Sequence, residues 1–168
     1  MKNSKAKRVA FYGMFVALAF VFSYIEVQIP FSVGIPGVKL GLANIVVLTA
    51  LYTMGVKEAF VISCIRIVLV GFTFGTMFNI FYSLAGGLLS WLIMCICKKV
   101  KVFSIIGVSI AGGISHNIGQ IVVAAIALQT KSIGFYLPVL LISGTITGLL
   151  IGLLGVWLLK VQMKIFNT

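Results

Sequence analysis

The sequence predicts an all-α integral membrane protein, a bundle of six transmembrane helices, and three observations carry that prediction. Hydrophobic residues make up 61% of the chain and charged residues only 9%, against roughly 25% charged in ordinary soluble domains. So few charges cannot cover a water-exposed surface. Acids are almost absent: aspartate does not occur, and Glu26 and Glu58 stand beside 13 lysines and arginines. The resulting net charge of +11 sits in short clusters between apolar runs. A nucleic-acid-binding protein would instead spread its basic residues over a folded face among exposed aromatics. The expected environment is therefore the lipid bilayer, with no nucleic-acid partner.

The third observation is the series of apolar segments, read as one transmembrane domain over residues 1–168. They run over about 8–27, 40–54, 58–72, 77–97, 102–128 and 135–159. A spanning helix needs about 20 apolar residues. The second and third segments are short by that measure, which implies tilt, half-buried ends or loops that enter the membrane. No charge occurs from Ile67 to Cys97, a stretch too long for one helix. The break is placed at Gly71–Gly75, where paired glycines favour a turn.

Charge gives the orientation. Lys2, Lys5, Lys7 and Arg8 precede the first segment, Lys57 lies in the second loop, Lys98, Lys99 and Lys101 in the fourth, and Lys160 and Lys164 in the tail. The opposite side has Lys39 and Lys131, and Arg66 lies inside a segment. The positive-inside rule places both termini in the cytoplasm, and an even number of crossings is needed to keep the charges segregated. The basic start and Ala17-Leu-Ala19 resemble a signal peptide, but the apolar run continues to Ile25 without a polar cleavage region, so it reads as the first retained helix.

The composition also removes most enzyme chemistry. Without aspartate there is no aspartate cage for Mg²⁺ and no Asp–His pair. His116 is the only histidine, and Cys64, Cys95 and Cys97 lack the second ligand pair of a structural zinc site. The expectation is no catalytic residue, no metal and no cofactor. No Gly-x-x-x-x-Gly-Lys-Ser/Thr loop occurs, so any ATP hydrolysis belongs to another polypeptide.

Helices associate in lipid through small residues at four-residue spacing. The first segment has Ala6, Ala10, Gly13 and Ala17, the fifth has Gly107, Ala111, Ser115 and Gly119, and the sixth has Gly144, Gly148 and Gly152. These are candidate positions for helix packing or partner contact. The first-segment ridge faces either another helix of this chain or another protein.

Polar groups within apolar segments are costly and mark functional sites by default. Arg66 lies near the midplane, about 12 Å along the third segment at 1.5 Å per residue. His116 and Gln120 share a helix face, with Asn117 beside them. Asn44, Asn79 and Glu26 lie toward the outer ends of their segments, and Lys39 ends the loop that precedes Asn44. Two readings remain open. In one, these groups form an internal network in which Arg66 pairs with Glu26. In the other, Lys39, Asn44, Arg66, Asn79, His116, Asn117 and Gln120 bind a substrate from the outer side. One acid against two cations favours an anionic or strongly polar guest.

Pro36-Gly-Val-Lys-Leu-Gly-Leu-Ala-Asn44, Ser83-Leu-Ala-Gly-Gly-Leu-Leu-Ser90 and His116-Asn-Ile-Gly-Gln120 resemble the Gx transporter family, also labelled heptaprenyl diphosphate synthase component I. The resemblance covers nearly the whole chain. Its architecture is similar to the substrate-binding S components of energy-coupling factor (ECF) transporters. It implies a multi-pass protein of the bacterial plasma membrane that binds a small solute and relies on a coupling subunit with ATPases. Ala6, Ala10, Gly13 and Ala17 would then contact that subunit. The second label implies a non-catalytic membrane partner of a soluble prenyl diphosphate synthase in isoprenoid or quinone metabolism. Lacking aspartate, the chain is not expected to be the catalytic synthase itself. The leading expectation is a solute-binding and uptake protein; the accessory subunit is the alternative.

Overall fold

The computed structural model describes residues 5–28, 41–129 and 131–166. Its α-helices are α1 (Lys5–Gln28), α2 (Leu42–Thr53), α3 (Val56–Phe74), α4 (Met77–Val100), α5 (Ile105–Leu128) and α6 (Leu137–Phe166), with a 3₁₀ turn at Lys131–Tyr136 before α6. No strand occurs among the described residues. Four of these helices contain stretches long and apolar enough to cross a membrane: Arg8–Gln28, Met77–Val100, Ile105–Leu128 and Gly134–Val161. At 19 residues α3 has sufficient length, but Lys57, Glu58 and Arg66 interrupt its apolar character. At 12 residues α2 measures only about 18 Å, well short of a hydrocarbon core of about 30 Å.

Local chemistry explains the ends. The turn between α2 and α3 needs Gly55 at φ 129°, a conformation that side chains disfavour. Thr76 and Ser104 cap α4 and α5 by accepting the N–H groups of Asn79 at 3.3 Å and Gly107 at 3.1 Å, which satisfies backbone donors left free in a first turn. The turn expected at Gly71–Gly75 is confined to Gly75 and Thr76, and α3 runs through Gly71. A β-carbon at Gly71 would collide with the side chain of Ile80. The bare helix face is what allows α4 to pack here, and that packing outweighs the weak helix propensity of glycine.

Contacts join α2 to α3, α3 to α4, α4 to α5, α5 to α6 and α6 back to α2, and α1 lies against α2 and α3. The apolar core occupies one end of this ring. It is built from Leu48, Ala50 and Leu51 of α2, Ala59 and Ile62 of α3, Met94 and Cys97 of α4, Val108 of α5, and Phe15 and Ala19 of α1. The outward faces carry exposed Phe72, Ile126, Ile142 and Trp157, as a lipid-facing surface does.

Polar contacts tie the α2–α3 turn at the core end. Arg8 and Glu58 form an ion pair at 2.9 Å. The Trp91 indole N–H donates to the Val56 carbonyl at 3.0 Å. Lys98 donates to the Leu51 carbonyl at 2.5 Å, and its ammonium sits 4.7 Å from the centre of the Tyr52 ring.

The glycines of α6 pack on α5. A β-carbon at Gly148 would lie 2.7 Å from the Ile110 Cα, and one at Gly152 would lie 2.9 Å from the Ile106 Cα. Gly144 meets the carbonyl of Gly113. On α5 these glycines meet Ile106, Ile110 and Gly113, on a different face from the ridge of Gly107, Ala111, Ser115 and Gly119. Of that ridge, Gly119 meets α4, where a β-carbon would come 2.7 Å from the Ala85 carbonyl oxygen, whereas the atoms nearest a β-carbon on Gly107 belong to Phe103 and Ser104 just before its own helix. A helix held between two neighbours has two close faces, and a single four-residue ridge describes only one of them. Ala111 packs against the core and Ser115 is buried. On α1, Ala6, Ala10, Gly13 and Ala17 are all exposed, and nothing lies within 4 Å of a β-carbon placed on Gly13.

Candidate functional site

The end of the ring opposite the core encloses a cavity of about 240 Å³ to which all six helices contribute. That far exceeds the roughly 10–15 Å³ needed for one water molecule. The wall contains Ser23 and Glu26 of α1, Asn44 of α2, Arg66, Val70 and Phe74 of α3, Asn79 and Ser83 of α4, His116, Asn117 and Gln120 of α5, and Thr147 of α6. Leu48, Met94 and Ile151, which belong to the core, also line the cavity, so the top of the core is its floor.

Of the residues singled out in the sequence, Asn44, Arg66, Asn79, His116, Asn117 and Gln120 all line this one cavity. Lys39 lies outside the described residues. Glycine contacts bring the α5 groups into place: a β-carbon on Gly86 would lie 2.8 Å from the His116 carbonyl oxygen and 2.9 Å from the Gln120 Cγ. With no side chain at Gly86, α4 and α5 approach closely enough for His116 and Gln120 to border the cavity.

The polar groups differ in how they are held. Asn117 is committed to α6, donating to the Leu140 carbonyl at 2.6 Å and to the Ser143 hydroxyl at 3.3 Å. Asn79 is exposed at the rim and Asn44 is half-buried. Gln120, only 2% exposed, makes no side-chain hydrogen bond with a described residue. Arg66 is 9% exposed, and its Nε has no hydrogen-bond partner among the described residues.

Neither acid forms an ion pair with that arginine among the described residues. Glu58 pairs with Arg8 at the other end of the bundle. Glu26 shares the cavity with Arg66, yet its carboxylate accepts the backbone N–H of Gly41 at 2.5 Å. Gly41 adopts φ 70°, the left-handed region that glycine tolerates without strain, and so presents its N–H to α1 as α2 begins. The Glu26 charge acts favourably on Arg66, but the two do not come within ion-pair distance. A guanidinium stays protonated in proteins, so the cavity holds a buried positive charge without an ion-pair partner among these residues, surrounded by amide, imidazole and hydroxyl groups.

Sequence reasoning did not single out Ser23, Ser90, Ser109 or Thr147, all of which line the cavity. Ser83 and Ser90 bound one of the motifs, but serine is too common in membrane helices for that position alone to mark a wall residue.

These helices and this polar cavity define a multi-pass, all-helical membrane protein. A family model described as heptaprenyl diphosphate synthase component I matches residues 15–158, and the chain belongs to that family. No curated protein and no solved structure matches it.

Proposed function

We propose that the protein is a membrane solute-binding and uptake protein of the S-component type, holding a small anionic or strongly polar solute in the cavity between its helices. The observation that carries this reading is Arg66: a residue 9% exposed on a cavity wall, whose Nε–H finds no acceptor among the described residues. Burying a charge without a partner is strongly unfavourable. An anion in the cavity supplies the missing partner through charge-assisted hydrogen bonds. His116, Gln120 and Asn44 provide directional hydrogen bonds around it, and Lys39 draws negative charge toward the mouth. Six crossings with cytoplasmic termini turn that mouth, where α1, α3 and α5 end, to the outside. Energy comes from a partner, because the chain has no phosphate-binding loop. The exposed small-residue face of α1 (Ala6, Ala10, Gly13 and Ala17) is the contact surface for such a coupling subunit.

A second reading is favoured by the family's description, which names a component of a synthase. In it the protein is a non-catalytic membrane subunit beside a soluble prenyl diphosphate synthase, with the cavity holding a diphosphate or quinone head group. The absence of aspartate from the sequence fits a non-catalytic role, because prenyl transfer uses clustered aspartates to hold Mg²⁺ on the diphosphate.

Mass spectrometry of the protein gently purified from its native membrane, covering both small molecules and co-purifying subunits, tests the two. A water-soluble anion together with an ATPase and a coupling subunit supports uptake. A long-chain isoprenoid with a soluble synthase and no ATPase overturns it in favour of the accessory subunit. Arg66→Ala and His116→Ala variants that bind and transport like the parent count against the cavity as the site.

A further inference from the structure

Two buried serines line the core end of the cavity. Hydroxyls on membrane helices ordinarily satisfy themselves by donating to a carbonyl one turn back. Ser23, Thr49, Ser115 and Thr147 all do so here, at 2.9, 2.8, 2.6 and 2.9 Å. Ser90 of α4 and Ser109 of α5 do not. They are 6% and 5% exposed, line the cavity, and make no side-chain hydrogen bond with a described residue.

Glycine contacts place the two serines together at the floor. A β-carbon on Gly112 would lie 3.2 Å from the Ser90 Oγ, and Ser109 precedes Gly112 by one turn of α5. On the other side, Gly152 of α6 comes so close that its β-carbon would lie 3.1 Å from the Ser109 Cβ. Gly87 meets α3 at Ile67, the neighbour of Arg66, with 2.7 Å from its β-carbon position to the Ile67 Cδ1, and Ser90 lies about one turn, or 4.5 Å along α4, nearer the core than Gly87. Along α5, Ser109 lies about 10 Å below His116.

We infer that Ser90 and Ser109 form a hydroxyl subsite at the floor of the cavity, selecting a tail-less solute that is anionic toward Arg66 and carries a second hydrogen-bonding group at its deep end. The inference rests on the proposed solute-binding function and sharpens it by naming the ligand's shape. A prenyl tail on this floor would bury both hydroxyls without partners, which is unfavourable. A hydroxyl or carbonyl at the ligand's far end satisfies them.

The test uses the purified full-length chain in detergent and two matched pairs of probes: butyrate with 4-hydroxybutyrate, and hexanoate with 6-hydroxyhexanoate. Affinity is read from calorimetry and from the shift in melting temperature. The parent is expected to bind the better-fitting hydroxylated probe about fivefold to tenfold more tightly than its unsubstituted counterpart, the gain of one net hydrogen bond. Ser90→Ala combined with Ser109→Ala is expected to erase that preference, its melting temperature without probe reporting that the fold is intact. Equal binding of both members of each pair by the parent, or a preference that survives in the double variant, overturns the hydroxyl subsite and leaves the anion site standing. If no carboxylate binds the parent, the anion reading itself falls, and this inference with it.

Discussion

Glu26 accepts the backbone N–H of Gly41 at 2.5 Å, and that contact engages the one acid that lines the cavity with Arg66. The carboxylate is part of the join between α1 and α2, and it places a negative charge on the wall that the cationic site must tolerate. Glu26→Gln keeps an oxygen for the Gly41 N–H and removes the charge. Its expected effect is a stability change below about 1 kcal/mol with anion affinity raised a few-fold. Glu26→Ala removes the acceptor as well and is expected to lose about 1.5–3 kcal/mol, the range for a hydrogen bond to a charged group. Chemical denaturation and calorimetry with the carboxylate probes check both, and weaker anion binding by Glu26→Gln would contradict the electrostatic account.

Arg66 separates a ligand site from a structural ion pair through the sign of its stability effect. Removing one member of a buried ion pair typically costs about 3–5 kcal/mol. Removing a buried cation that has no ion-pair partner relieves a desolvation penalty instead. Arg66→Met, which retains much of the side-chain length, is therefore expected to leave the ligand-free melting temperature unchanged or raised while abolishing stabilisation by an added anion. A large loss of stability in the absence of ligand would show that Arg66 serves the fold.

The cavity was legible to the extent that its residues break the apolar pattern. Arg66, His116 and Gln120 stand out in runs of Ile, Val and Ala, and the structure brings them to one cavity. Ser90 and Ser109 do not stand out, because a serine hydroxyl usually satisfies itself on its own helix, and only their place in the cavity wall together with their hydrogen bonding marks them. Helix packing was legible by face. Gly144, Gly148 and Gly152 of α6 fit one partner and follow a simple spacing, whereas α5 lies between α4 and α6 and uses Gly113 on one side and Gly119 on the other. The continuation of α3 through Gly71 depends on Ile80, a residue on the next helix, so local sequence favoured a turn that tertiary packing overrides.

The glycines also separate contacts made within the chain from a face left open. Gly148→Ala forces a methyl group within 2.7 Å of the Ile110 Cα and within 2.9 Å of the Ser109 carbonyl oxygen. Backbone cannot yield as a flexible side chain does, so a loss of about 1–3 kcal/mol is expected. Gly13→Ala meets nothing within 4 Å and is expected to leave the isolated chain as stable or slightly more stable, by up to about 1 kcal/mol, from helix propensity alone. Gly13→Leu is the decisive companion. If it leaves thermal stability and solute binding intact but abolishes uptake in cells, the α1 face serves an external partner. If uptake is also unchanged, that face meets only lipid.

The proposed orientation places Gln129, at the end of α5, outside the membrane and Lys101, between α4 and α5, in the cytoplasm. Both take up left-handed backbone, at φ 47° and φ 59°, and terminate their helices, so a cysteine at either position reports on a loop and leaves the packed faces untouched. In a background with Cys64, Cys95 and Cys97 replaced by alanine, a membrane-impermeant maleimide added to intact cells is expected to label Gln129→Cys. It should reach Lys101→Cys only after permeabilisation. Reversed labelling would turn the cavity mouth toward the cytoplasm and remove the case for uptake from outside. Labelling of both positions in intact cells would mean that α5 does not cross the bilayer, against the positive-inside argument drawn from Lys98, Lys99 and Lys101.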